Sequence, residues 1–184
     1  MEYYGAKELA ASFRTVRKNT LTIAEEIGEE HYGFSAAEGA RTIGQTLAHI
    51  ALTPKMAERM HGPDRLMTLA GFDFPTFMAQ RIADEQKPRT KQEIVTILRE
   101  DGERLATWLE GISEEILAEH VTFPEGMVPP SKSRFEMLLG LKEHEMHHRA
   151  QLMVMQRMLG MVPHLTRDMN ARIAAMQAAS KASA

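Results

Sequence analysis

The sequence predicts an all-α fold, a four-helix bundle with short extra helices, on three observations. Apolar residues recur three and four positions apart through four long segments. Two of these segments open on a capping-box pair, Thr90 with Glu93 and Ser133 with Glu136, in which each residue can satisfy the other's free backbone N–H. Stretches containing glycine and proline lie between the segments, where the chain must reverse.

The first helix is expected over about residues 5–27, with Leu9, Phe13, Val16, Leu21 and Ile27 near helical spacing and Gly28 as its stop. Glu29 to Ala40 reads as a connection. The second helix begins near Thr42 and passes Gln45, Leu47, His49, Ile50 and Met56 before His61-Gly62-Pro63 ends it. Pro54 lacks a backbone N–H and is expected to kink this helix just beyond His49. A shorter bridging helix, roughly Pro75 to Asp84, is expected between Pro63 and Pro88. Ile94, Ile97, Leu98, Leu105 and Leu109 mark the third long helix, closed by Gly111. Ser113 and Glu114 open one further turn, and HVTFPEGMVPP after it reads as extended chain or loop. The fourth long helix runs from Phe135 to Leu159 across a tolerated Gly140, until Gly160 and Pro163 stop it. Thr166 to Met176 reads as a short amphipathic helix and QAASKASA as a frayed tail. The chain thus divides into a bundle at residues 1–165 and an extension at 166–184.

With 43% apolar side chains, 184 residues can bury one continuous core. The net charge is −3 and basic residues are scattered among acidic ones, so no footprint for a phosphate backbone exists and nucleic acid is not an expected partner. Cysteine is absent, which removes disulfides, thiolate ligands and cysteine nucleophiles and fits a reducing compartment. The N-terminal stretch is polar and nowhere do 18 apolar residues run together, so neither a signal peptide nor a membrane span is expected, and the location read from this is cytoplasmic. The 14 methionines suit an irregular helical core.

Read at spacings of three and four, the fourth helix presents Met137, Leu141, His144, His148, Leu152, Met155 and Leu159. This stripe is the expected buried face, and two histidines stand in its middle. Side chains at i and i+4 lie about 5–6 Å apart at Cβ, so both imidazoles can reach one ion at about 2.0–2.1 Å on a regular helix. Two core histidines held by hydrogen bonds are the plainer alternative, although each would then need its own buried partner. The string from His144 to His148 also satisfies H-E-x-x-H, in which zinc proteases use the glutamate as general base. The metzincin form of that motif requires a glycine and a further histidine where this chain has Gln151 and Val154, and no glutamate follows Glu145 to complete another protease ligand set. A protease therefore ranks below the other readings. Glu145 also has a structural use open to it, an i,i+4 pair with Arg149 on the exposed side of the helix.

HEMHHRAQL at 144–152, read as H-x-x-H-H-R-x-Q ahead of an apolar helix and Gly160, together with TIGQTLAHI at 42–50, resembles the DinB/YfiT-like superfamily of metalloenzymes. The resemblance spans most of the chain to about residue 165. It implies an up-down-down-up bundle that holds one divalent ion, zinc or nickel, with one histidine of the second helix and two of the fourth. The matching positions are His49, His144 and His148. His147 is turned about a hundred degrees from His148 and cannot share the ion with good geometry. Gln151, one turn beyond His148, and Glu145 are the candidate catalytic residues, acting from behind the ligands; for Gln151 a plain polar position at the stripe's margin is an equal reading. His31, His61, His120 and His164 fall in loops or at helix ends and are not proposed as ligands.

Three neutral histidines leave the ion its charge and an open position. The resemblance implies two chemistries for such a site: transfer of a low-molecular-weight thiol, such as bacillithiol or mycothiol, to an electrophile, and hydrolysis by an activated water. A non-catalytic metal-binding stress-response protein is the third reading, since one fold hosts many functions. Thiol transfer is modestly preferred, because no protein cysteine competes for the ion. A small-molecule substrate is the expected partner, with a thiol as cosubstrate, and a homodimer is left open.

Overall fold

Three of the four long helices begin where an N-cap side chain closes the first turn. In the computed structural model, which describes residues 4–182, Thr42, Thr90 and Ser133 each accept a hydrogen bond from the backbone N–H three residues on, and Gln45, Glu93 and Glu136 reach back in return. The long helices are α1 (Ala6–Glu26), α2 (Ile43–His61), α4 (Lys91–Glu110) and α6 (Arg134–Met158). Between them lie α3 (Phe74–Glu85), the short α5 (Glu114–Ala118), and an antiparallel hairpin of β1 (His120–Thr122) and β2 (Ser131–Ser133). Helix α2 continues through Pro54, and the Thr53 hydroxyl donates to the His49 carbonyl.

Cross-helix pairs fix the directions. Arg14 meets Glu103 while Glu25 meets Arg99, so α1 and α4 are antiparallel. Tyr4 meets Phe135 and Arg17 meets Glu145, and His49 and His61 of α2 meet His144 and Arg134 of α6, so α6 runs along α1 and against α2. The long helices therefore form an up-down-down-up bundle in which α1 and α2 each pack on α4 and α6.

Two apolar clusters fill this bundle. One gathers Ile23, Ile27, Ile43, Leu47, Leu98 and Leu152; the other gathers Leu9, Phe13, Leu105, Leu109, Leu138 and Leu141. Between them the sequence places Arg17 on α1, Thr53 on α2, Gly102 on α4 and Glu145 on α6, and this layer is polar. The Arg17 side chain is 5% exposed and that of Glu145 3%. Arg17 Nε donates to both carboxylate oxygens at 3.0 and 3.1 Å, Nη2 adds a bond of 2.8 Å, and Nη1 donates to the Leu98 carbonyl at 2.7 Å. Gly102 makes this possible, because a Cβ there would stand 2.6 Å from Arg17 Nη1. Glu145 thus lies in the middle of the buried face of α6, not on its exposed side, and its partner is Arg17 and not Arg149. The observed stripe of Leu138, Leu141, Glu145, His148, Leu152 and Met155 leaves His144 at its edge and Met137 half-buried.

Helix α7 (His164–Ala182) is longer than the sequence suggests, since the alanine-rich stretch expected to fray stays helical. Every residue from Arg167 to Ala182 on it is exposed. No helix among the described residues is long and apolar enough to cross a membrane.

Breaking the buried pair is expected to be far worse than deleting it. Arg17→Met strands the Glu145 carboxylate and is expected to cost about 3–5 kcal/mol, whereas Arg17→Met with Glu145→Met is expected to recover most of that loss. Urea unfolding of both variants checks this, and equal losses in the two would contradict it.

His61 supplies a pH test. It is buried at the end of α2, with Nδ1 2.8 Å from Arg134 Nη1, and burial, reinforced by the Arg134 charge, pushes its pKa down to about 4. In an unfolded chain a histidine titrates near about 6.5. The unfolded state therefore takes up the proton first, so the stability held above about pH 6.5 falls as pH drops toward 4. His61→Gln is expected to flatten the pH dependence of metal-free unfolding in that window, whatever its absolute stability; parallel curves for the two proteins would contradict this.

Candidate metal centre

Helix α2 presents His49 toward α6, and α6 presents His144 and His148 one turn apart toward α2. The Nε2 atoms of His49 and His144 lie 2.9 Å apart and those of His144 and His148 3.2 Å apart. One nitrogen from each of the three rings falls within 4.8 Å of the others. Ligand nitrogens around a tetrahedral ion at about 2.0–2.1 Å stand roughly 3.3 Å from one another, so the triangle is nearly the right size as it is.

The bonds behind two of the rings decide which of their nitrogens carry protons. His49 Nδ1 lies 2.9 Å from Glu85 Oε2, and an ionised carboxylate only accepts, so this Nδ1 is the N–H and Nε2 bears the lone pair. His148 Nδ1 lies 2.8 Å from Gln151 Oε1, and the amide of Gln151 donates in turn to His147 Nε2 at 3.2 Å. His148 Nε2 is therefore a lone pair as well. His144 closes the triangle with Nε2, while its Nδ1 is buried without a partner among the described residues. The lone pairs of His49 and His148 thus face the His144 ring nitrogen across a gap that suits a cation, and backing of imidazole N–H by a carboxylate or amide oxygen is the usual support of a metal-bound histidine. The donor set fits a divalent ion.

Electrostatics keep the rings competent. Burial lowers the pKa of His49, against the opposing Glu85 hydrogen bond, and lowers that of His148, against Gln151. Burial pushes His144 down to about 4, with His148, His49 and Arg81 adding to the shift. All three are neutral at pH 7, the form that ligates. For Glu85, burial works to raise the carboxyl, but hydrogen bonds from Arg41 and His49 outweigh it and hold the group below its ordinary value.

Of the residues singled out by the sequence, His49, His144, His148 and Gln151 come together in the structure. Glu145 does not join them, because its carboxylate is held on α1 by Arg17. The fold adds Glu85 and Arg41, which form an ion pair beside His49. Neither carries a sequence signal: Glu85 ends a short helix whose placement no periodicity encodes, and Arg41 lies in a connection. A cleft of about 890 Å3 borders the centre, reaching Glu85 and Gln151 and walled by Arg41, Gln45, Val154 and Met155.

The sequence profile of the DinB family matches residues 2–176. The chain belongs to the DinB family. Solved structures agree on the fold. The DinB-like protein YjoA of Bacillus subtilis is similar at 20% identity and a TM-score of 0.61, over 83% of this chain and 92% of that one. YfiT of the same organism, described as a probable metal-dependent hydrolase with an unusual four-helix bundle topology, is similar at 13% identity and a TM-score of 0.67, over 88% and 91%. An uncharacterised protein of Clostridium difficile 630 gives 12% and 0.67, over 85% and 98%. No curated protein sequence matches significantly. Within this DinB bundle the three histidines sit on the second and fourth long helices, as the family resemblance implies.

His49→Ala, His144→Ala or His148→Ala is expected to abolish stoichiometric zinc or nickel binding by elemental analysis, while circular dichroism keeps most helical signal, because the apolar clusters hold the bundle. Glu85→Gln and Gln151→Ala, which remove support and not ligands, are expected to weaken binding by roughly 10–100-fold without abolishing it. A variant that lost all helical signal with its metal would make the site structural.

Proposed function

We propose that this DinB-family protein is a metal-dependent enzyme that transfers a low-molecular-weight thiol to a small electrophile. The observation that carries the reading is the absence, among the described residues, of an unengaged carboxylate beside the three imidazoles. Glu145 is bound to Arg17, and Glu85 gives one oxygen to His49 and the other to Arg41. A zinc or nickel ion in the triangle supplies Lewis acidity, lowering the pKa of a thiol or water brought to its open side. A thiol so acidified is a nucleophile at neutral pH and needs no protein base; water hydrolysis gains from one.

The chain's own residues then have definite work. His49, His144 and His148 offer neutral nitrogens that leave the ion its full charge. Glu85 and Gln151 hold two of the rings in the ligating tautomer. Val154, Met155 and Ile82 give the cleft an apolar wall suited to the body of a small substrate, with Gln45 and Gln151 as polar contacts. The cleft admits a thiol and an electrophile side by side, which is the proximity such a transfer requires.

Hydrolysis is the second reading, favoured by Glu85, a carboxylate that touches both a candidate ligand and the cleft. It also accords with the description of YfiT as a probable metal-dependent hydrolase.

Metal-loaded protein, offered bacillithiol, mycothiol or cysteine with monobromobimane or 1-chloro-2,4-dinitrobenzene, is expected to consume the electrophile faster than the thiol alone, and His144→Ala is expected to lose that excess. Thiol-independent cleavage of p-nitrophenyl esters, lost in both His144→Ala and Glu85→Ala, would overturn transfer in favour of hydrolysis. Full metal occupancy with neither activity would leave a non-catalytic metal-binding protein.

A further inference from the structure

His147 stands outside the metal triangle, yet α6 ties it to one corner. Gln151 lies four residues beyond His147 and three beyond His148, so on a regular helix its amide can reach both rings at once. His148 Nδ1 is 2.8 Å from Gln151 Oε1, and Gln151 Nε2 is 3.2 Å from His147 Nε2. The two imidazoles also meet edge to face, with centroids 4.9 Å apart. A carboxamide has one accepting and one donating end, so a chain of this kind has a direction. With His147 Nε2 accepting, the Gln151 N–H is turned outward, its oxygen is turned inward, and the His148 proton stays on Nδ1. His148 Nε2, 3.2 Å from His144 Nε2, then offers its lone pair to the triangle. Were position 147 to donate instead, the amide would turn over, its N–H would meet Nδ1, and the His148 proton would move to Nε2, where it blocks an ion. His147 and Gln151 are exposed, so water can solvate the other nitrogen of His147, and a substitution there leaves the buried core untouched.

We infer that His147 is a positioning residue of the metal centre: it accepts the Gln151 N–H and so keeps the His148 proton away from the ion. This rests on the reading of the three imidazoles as a metal site, and it gives a role to the one histidine of the HEMHH string that is not a ligand. Glu85 needs no such help behind His49, because a carboxylate can only accept. An amide can accept or donate, and the group beyond it chooses which end it turns inward. The coupling is reciprocal. An ion on His148 Nε2 leaves Nδ1 as the obligate donor, which holds the Gln151 oxygen inward and the His147 proton on that ring's Nδ1.

The test reads the proton directly. In metal-free protein labelled with nitrogen-15 histidine, at a pH well above the range in which free imidazole titrates, long-range proton–nitrogen correlations distinguish the two tautomers of each ring. Wild-type His148 is expected in the Nδ1–H form. His147→Lys, which can only donate, is expected to shift His148 toward the Nε2–H form and to weaken zinc binding about three- to tenfold, the worth of one net hydrogen bond. His147→Glu, which can only accept, is expected to keep the wild-type tautomer. Met146→Lys adds the same charge at an exposed neighbour turned away from Gln151, and is expected to leave both tautomer and zinc affinity near wild type. An Nε2–H form of His148 in the wild type, or an unchanged His148 tautomer in His147→Lys, would overturn the inference. Equal weakening of zinc by His147→Lys and Met146→Lys would overturn it too, since charge alone would then account for the loss. The metal reading fails separately: a wild-type protein with the expected tautomers that binds no zinc refutes the metal site while the chain from His147 to His148 stands.

Discussion

The arrangement of this molecule turns on one buried ion pair. Arg17 and Glu145 lie in the polar layer between two apolar clusters, and their bonds tie α1 to α6 while a further bond to the Leu98 carbonyl ties both to α4. On a helix of 3.6 residues per turn, a side chain at 145 that points to α1 sets the direction of every neighbour. Residues 144 and 148 then fall on the same side of it, separated from each other by only about forty degrees, and that side faces α2. The pair therefore fixes the rotation of α6 about its axis, and with it the aim of His144 and His148. Such a pair adds little net stability for its desolvation cost, and its use here is specificity of packing. Gly102 is part of the same device, since any larger residue would push into the guanidinium.

Around the histidines the same economy of partners recurs. Each ring but that of His144 has a residue behind it, and each such residue has its own: Arg41 supports Glu85, Glu85 supports His49, His147 supports Gln151, and Gln151 supports His148. Helix α3 contributes the carboxylate that a bundle of four long helices would lack. Two of the three rings are thus held in the ligating tautomer by the protein itself, and all three nitrogens stand near the ligating distance, which reduces the ordering that binding must accomplish. His144, with its unpartnered Nδ1, is the member whose burial is compensated least by the protein itself.

Much of this was legible in the sequence. Apolar period located all four long helices, and Thr42, Thr90 and Ser133 begin three of them by a local mechanism that needs no tertiary partner. The i,i+4 pair of histidines and the earlier TIGQTLAHI segment gave three of the converging side chains. What could not be read is what depends on partners far apart in the chain. Glu145 looks like a surface residue until Arg17, 128 positions away, is seen to meet it. Glu85 looks like any acidic residue of a short helix until α3 is laid against α2. His61 lies at a helix end in the sequence but is enclosed by Arg134 in the fold. The alanine-rich end of α7 reads as a tail because it has no apolar period, yet it is made of good helix formers and stays helical to Ala182.

The central claim is that three imidazoles, and no carboxylate, hold the ion. X-ray absorption at the zinc edge of the metal-loaded protein tests it directly. The account predicts about three nitrogen scatterers at roughly 2.0–2.1 Å with the multiple-scattering pattern of imidazole, and one additional light atom from solvent or buffer. A shell with fewer than three imidazoles, or one containing a carboxylate of the protein, would contradict it.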